Sequence, residues 1–142
     1  NLLYGLKEAL DMLFEESLDE VFRSHKRLAE ATRIAVQAWG LEILCRNAAE
    51  YSDSLTAVLV PEDSNANELR ELILKQFNMS LGTGLGKLKG KVFRIGHLGD
   101  LNELTLMGTL SGIEMGLSLA SIPHQKGGVS KAMNYLENNL KL

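Results

Sequence analysis

The spacing of apolar residues changes character at Gly40, and that change limits what the chain can fold into. Before it, Leu2, Leu3, Leu6, Leu10, Leu13 and Phe14 recur at helical intervals, with Lys7, Glu8, Asp11, Glu15 and Glu16 opposite them. Ser17-Leu18-Asp19-Glu20 then has the spacing of a capping box. A second helix follows, with Val21, Phe22, His25, Leu28, Ala29, Thr32, Ala35, Val36 and Trp39 on one stripe and Gly40 as its stop. Beyond Gly40, residues 41–45 and 55–60 read as strands separated by a polar run. Asn65 with Glu68 opens a short helix carrying Leu69, Leu72, Ile73 and Phe77. Strands near 78–81 and 91–95 flank a glycine-rich turn. Asp100-Leu101-Asn102-Glu103 has capping-box spacing ahead of a helix to about residue 119. A break at 123–128 precedes a last helix with Val129, Met133, Leu136 and Leu140 on its stripe.

Helices first, then strands interleaved with helices, predict a two-layer α/β unit of the α+β kind. A small, mostly antiparallel sheet carries helices on one face. The first helix is expected to project as a connector, so the chain divides into a connecting helix at 1–17 and a domain at 18–142. With 142 residues, 45% of them hydrophobic and 23% charged, the chain can bury a core without disulfides or metals. A net charge of −3 argues against nucleic acid or an anionic membrane as partner. No apolar run reaches the length of a membrane span. Cys45, the single cysteine, forms no internal disulfide, and between apolar neighbours it reads as an inert core thiol of a reducing, cytoplasmic compartment. The chain opens on Asn1 with the amphipathic pattern already running, so it is expected to be an excerpt of a longer protein.

Gly82-Thr83-Gly84-Leu85-Gly86-Lys87 invites a phosphate-loop reading, which its spacing refutes. Only three residues separate Gly82 from Gly86, and Leu88 follows the lysine where Ser or Thr is required. Spacing alone makes this segment a hairpin turn. Arg94 lies in Val92-Phe93-Arg94-Ile95, where strand alternation places Phe93 and Ile95 on one face and Arg94 on the other. An arginine among apolar residues is either a structural ion-pair partner or a carboxylate clamp, whose planar fork of donors matches two oxygens. His97 reads as a local hydrogen-bonding or packing residue, and neither His25 nor His124 has a partner identifiable from sequence. No histidine or cysteine pair has metal-ligand spacing. Gly108, Gly112 and Gly116 repeat every fourth residue on one helix. Each costs about 1 kcal/mol relative to alanine, which implies close packing, against the sheet or against a further domain.

The segment from Gly82 to Glu103, centred on Phe93-Arg94-Ile95-Gly96 and continuing through His97-Leu98-Gly99-Asp100-Leu101-Asn102-Glu103, resembles the C-terminal small domain of class V aminotransferases of the serine–glyoxylate and alanine–glyoxylate group. Asn1-Leu2-Leu3-Tyr4-Gly5-Leu6 is similar to the helix that leaves the large domain in that family. The resemblance implies a pyridoxal-phosphate enzyme acting on an amino acid and a 2-oxo acid, most simply serine and glyoxylate, as a homodimer. Alanine–glyoxylate or another small-acceptor chemistry is the neighbouring alternative; a non-catalytic ligand-binding module of the same fold is the alternative of another class. By the same resemblance Arg94 holds the substrate α-carboxylate, and Gly82, Thr83 and Gly84 belong to an active-site loop. The lysine that carries the cofactor, and most cofactor contacts, belong to the family's large domain. Gln125-Lys126 echoes the neighbourhood of that lysine but follows Arg94 in chain order, so Lys126 is expected to be a solvated loop residue. The isolated chain is expected to fold without catalysing transamination.

Overall fold

The computed structural model describes residues 1–140. Its helices are α1 (Leu2–Glu16), α2 (Leu18–Ala38), α3 (Ala66–Phe77), α4 (Glu103–Leu119) and α5 (Gly128–Asn139). The strands are β1 (Glu42–Ile43), β2 (Leu55–Leu59), β3 (Gly82–Thr83) and β4 (Val92–Gly96), in the spatial order β1-β2-β4-β3, with every neighbouring pair antiparallel. Helix α1 buries none of its residues. At Ser17 the backbone turns to φ 75°, and the Ser17 hydroxyl accepts the Glu20 N–H, so α2 starts where the capping pattern predicts.

Val58, Phe93 and Ile95 point from the sheet into a core filled by Leu28 and Val36 of α2, Leu69 and Ile73 of α3, and Leu106, Leu110 and Ile113 of α4. Leu136 of α5 completes it. The helices therefore cover one face of the sheet. The opposite face carries Leu55, Ala57, Leu59 and Arg94, half-buried or exposed, together with the buried Val92.

Local expectations fail in four places. Asn78, expected to open a strand, instead closes α3 in the left-handed conformation at φ 51°, which delays strand pairing to Gly82. Gly82 and Thr83 are consequently strand residues, and the turn lies beyond them, with a 3-10 helix at Gly86–Leu88. Helix α4 starts from Asn102: its side chain accepts the Thr105 N–H at 2.9 Å, and the Thr105 hydroxyl accepts the Asn102 N–H. The expected box fails because Gly99, at φ 87°, still turns the chain before Asn102. The glycine stripe faces α3 rather than the sheet. A Cβ on Gly116 would stand 2.5 Å from Ile73 Cγ1, and one on Gly112 2.8 Å from Met79 Cε, whereas one on Gly108 would meet open space. Cys45 is half-buried at the end of β1 rather than in the core.

One carboxylate joins three helices. Glu114 of α4 accepts the Trp39 indole N–H at 2.7 Å, beside the end of α2. It also accepts the Gly127 and Val129 N–H groups at 2.9 and 3.0 Å, at the start of α5. Burial pushes its pKa up, but the three donors outweigh that and hold it below 4.5. A carboxyl depressed on folding stabilises fully above its unfolded value and loses that contribution as pH falls through the folded one. Glu114→Gln keeps the size but turns an amide donor toward N–H groups, so stability should fall by about 1–3 kcal/mol. Urea titration should record a lower midpoint at unchanged slope; an unchanged midpoint would refute the clasp.

Candidate active site

Arg94 is placed by register. β4 lies between β2 and β3, and Arg94 stands beside Ala57 on one neighbour and Gly82 on the other. The side chains flanking it across the sheet are thus a methyl group and a hydrogen. Its Nε is buried and has no hydrogen-bond partner. Among the described residues its side chain joins no ion pair, while other arginines find theirs. Arg27 meets Glu103 at 2.6 Å, and Arg33 donates to Glu30 and to the Ser52 carbonyl. Arg70 Nε donates to the Leu81 carbonyl at 2.7 Å. A guanidinium keeps its charge at any ordinary pH, and a buried donor without an acceptor costs about 1–3 kcal/mol. The arrangement is chemically suited to receive an anion, above all a planar carboxylate.

The three loop residues singled out in the sequence diverge. Gly82 touches the Arg94 side chain: a Cβ there would lie 3.0 Å from Arg94 Cβ and 3.1 Å from its Nε. Thr83 pairs with Phe93 and so shares the core-facing side, where its hydroxyl donates to Asn67 Oδ1 at 3.3 Å. Gly84 is buried against the backbone of Leu88 and Val92.

His97 is fully buried next to the end of β4. Its Nδ1–H donates to the Asp53 carbonyl at 3.0 Å, since a carbonyl only accepts, and its Nε2 accepts the Thr56 hydroxyl at 2.9 Å. Both nitrogens are satisfied by the neutral ring. His25 similarly donates from Nδ1 to the Val21 carbonyl and accepts the Gly99 N–H on Nε2 at 3.1 Å, which ties the loop after Arg94 to α2. Sequence reasoning missed the roles of His25, Ala57 and Asn67 because each depends on a long-range pairing with no local signature. Lys126 is exposed in the turn before α5. The described residues include no cluster of three or more His, Cys, Asp or Glu suited to a metal.

No family model matches the chain. It is 46% identical to a serine–glyoxylate aminotransferase of Arabidopsis thaliana over 99% of its own length and 35% of that protein. It is 48% identical to one of Methylorubrum extorquens over 97% and 35%. The fold superimposes on a ureidoglycine–glyoxylate aminotransferase of Bacillus subtilis with a TM-score of 0.89 at 26% identity, covering 96% of this chain and 35% of that one. The chain thus spans about a third of the length of these relatives. By sequence and fold the chain matches the C-terminal part of class V aminotransferases of the serine–glyoxylate and alanine–glyoxylate group.

Burial pushes the His97 pKa below 6.5, and the Arg33 charge acts in the same direction, against the Asp53 carbonyl bond. The unfolded chain therefore binds the proton first. Stability is fully present above 6.5 and declines as pH drops below it, toward the lowered folded value. Melting temperatures measured downward from pH 7 should fall with a component that disappears in His97→Gln. Equal slopes for both proteins would rule out a buried neutral His97.

Proposed function

We propose that this chain is the substrate-binding small domain of a pyridoxal-phosphate aminotransferase that moves an amino group between serine and glyoxylate, and that Arg94 grips the substrate carboxylate. The observation carrying this reading is the dry, unpartnered Nε of Arg94 on the sheet face that the helices leave open. An amino acid and the 2-oxo acid derived from it both bear a carboxylate next to the reacting carbon. One fixed guanidinium can therefore orient donor and acceptor alike. Its two-point grip restricts rotation about the bond to that carbon, which is where binding energy becomes rate. Alanine–glyoxylate chemistry would use Arg94 in the same way.

The residues present here do not fit the cofactor itself. Lys126 is exposed, and the surroundings of Arg94 present a single cation among small apolar groups with no acidic partner. Pyridoxal phosphate, which supplies an electron sink and amino carrier when bound, is assigned to the remainder of the full-length protein. Helix α1 supports the same division. Leu2, Leu3, Tyr4, Met12 and Phe14 are each more than half exposed, an apolar surface suited to a connector packed on other parts of a homodimeric enzyme. No described helix is long and apolar enough to cross a membrane, and the lone free Cys45 suits a reducing cytoplasm.

Two outcomes test the proposal. The isolated chain mixed with pyridoxal phosphate, serine and glyoxylate should form no hydroxypyruvate above a cofactor-only control; sustained turnover would refute the division of labour. In the full-length enzyme, removing one partner of a buried charge pair costs on the order of 2–5 kcal/mol. Arg94→Ala should therefore lower kcat/KM for serine by about 30-fold or more. Arg94→Lys should restore only part, because an ammonium cannot reproduce the fork. A lower melting temperature with kcat/KM unchanged would make Arg94 a structural residue.

A further inference from the structure

The structure assigns Gly82 as the positioning residue for Arg94: its missing side chain sets where the guanidinium stands, an inference that rests on the carboxylate-binding reading of Arg94. In an antiparallel pair, Cβ atoms directly opposite one another usually lie about 4.5–5.5 Å apart. A Cβ on Gly82 would lie 3.0 Å from that of Arg94. A side chain on Gly82 would therefore meet Arg94 more tightly than ordinary contact, and one of the two must give by a few tenths of an ångström. The same Cβ would also lie 3.1 Å from Arg94 Nε. The stem of Arg94 lies over the bare backbone of Gly82, in the space that any other residue would fill. Nε is buried there and has no acceptor.

β3 is an edge strand, and an edge strand ordinarily relieves a clash by moving outward. Here both neighbours of Gly82 are held from α3. Arg70 Nε donates to the Leu81 carbonyl at 2.7 Å, and the Thr83 hydroxyl donates to Asn67 Oδ1 at 3.3 Å. The Gly84 N–H donates to the Val92 carbonyl at 3.0 Å and pins the strand to β4 on its far side. With β3 held on both sides of the added methyl, Arg94 Nε, at the end of a rotatable stem, is the atom that yields. A displacement well under the width of an atom is enough to spoil a two-point grip on a carboxylate. Gly82 touches no substrate in this scheme and acts only through Arg94.

The test is a double-mutant cycle in the full-length holoenzyme: wild type, Gly82→Ala, Arg94→Ala and the double variant, with KM and kcat for serine and glyoxylate and the melting temperature of each. Gly82→Ala is expected to raise KM for both substrates about tenfold, with a smaller change in kcat. On the Arg94→Ala background the same change should alter KM by less than about twofold, because the group it acts through is gone. Equal effects on both backgrounds would overturn the proposal. So would a Gly82→Ala that leaves KM unchanged while Arg94→Ala raises it, a result that spares the carboxylate reading. Unfolding of Gly82→Ala on both backgrounds would make the residue purely structural and overturn it as well. Arg94→Ala with unchanged KM would instead reject the carboxylate reading beneath it.

Discussion

The Glu114 clasp ties together three of the helices that cover one side of the sheet. A carboxylate on α4 that takes N–H groups from the end of α2 and the start of α5 makes the helices one layer rather than separate struts. Donors fill both of its oxygens, and the charge lies where the N-terminal dipole of α5 favours it. Close packing reinforces the joint, since Gly128 lies directly against the Trp39 indole and leaves no room for a side chain. With α2 to α5 committed to the face of Val58, Phe93 and Ile95, none of these four helices covers Ala57 and Arg94.

That one-sidedness gives Arg94 its character. Stability alone would favour an acidic partner, and this chain supplies such partners freely: Arg33 collects Glu30 and Asp53 and lies over the Tyr51 ring at 5.2 Å. Arg94 receives none and is flanked by the two smallest residues available. A local rule broken without compensation within the fold is the expected mark of a binding position. Its place on a paired strand also matters. A strand held on both edges fixes a side chain more closely than a loop does, and β4 has β2 on one side and β3 on the other.

Much of this was legible in the residues, and the boundary follows interaction range. Ser17, Gly40 and Asn65 act on backbone groups a few residues away, so their roles as helix punctuation could be read directly. Alternation in β4 put Arg94 on the face opposite Phe93 before any pairing was known. Asn78 misled because asparagine tolerates the left-handed conformation and closes a helix as readily as it starts a turn. The glycine stripe on α4 announced a close contact without naming α3 as the partner. Glu114 was invisible for the same reason: its donors lie 13, 15 and 75 residues away, and nothing near Glu114 distinguishes it from a surface glutamate.

The exposed surfaces complete the physical case for a chain that works as part of something larger. Helix α4 carries apolar residues on its outer as well as its inner side: Leu106, Leu110, Ile113 and Leu117 are buried, yet Leu104 and Leu119 on the outside are 84% and 58% exposed. Large apolar side chains on the outer side of a helix form a surface suited to a further contact. Gly108 lies on that outer side with nothing near it, so its helix-weakening lack of a side chain has no cause within this domain. Helix α1 is the more extreme case, with no buried residue at all. An isolated helix of this length has little stability of its own in water. The open sheet face, the outer side of α4 and the whole of α1 are therefore three surfaces that folding of this domain leaves unfinished. Among the described residues, only the first carries a buried side-chain donor with no partner. A contact that merely covered apolar area would leave the Arg94 Nε without an acceptor, whereas a carboxylate would satisfy it, and that difference in chemistry separates the first surface from the other two.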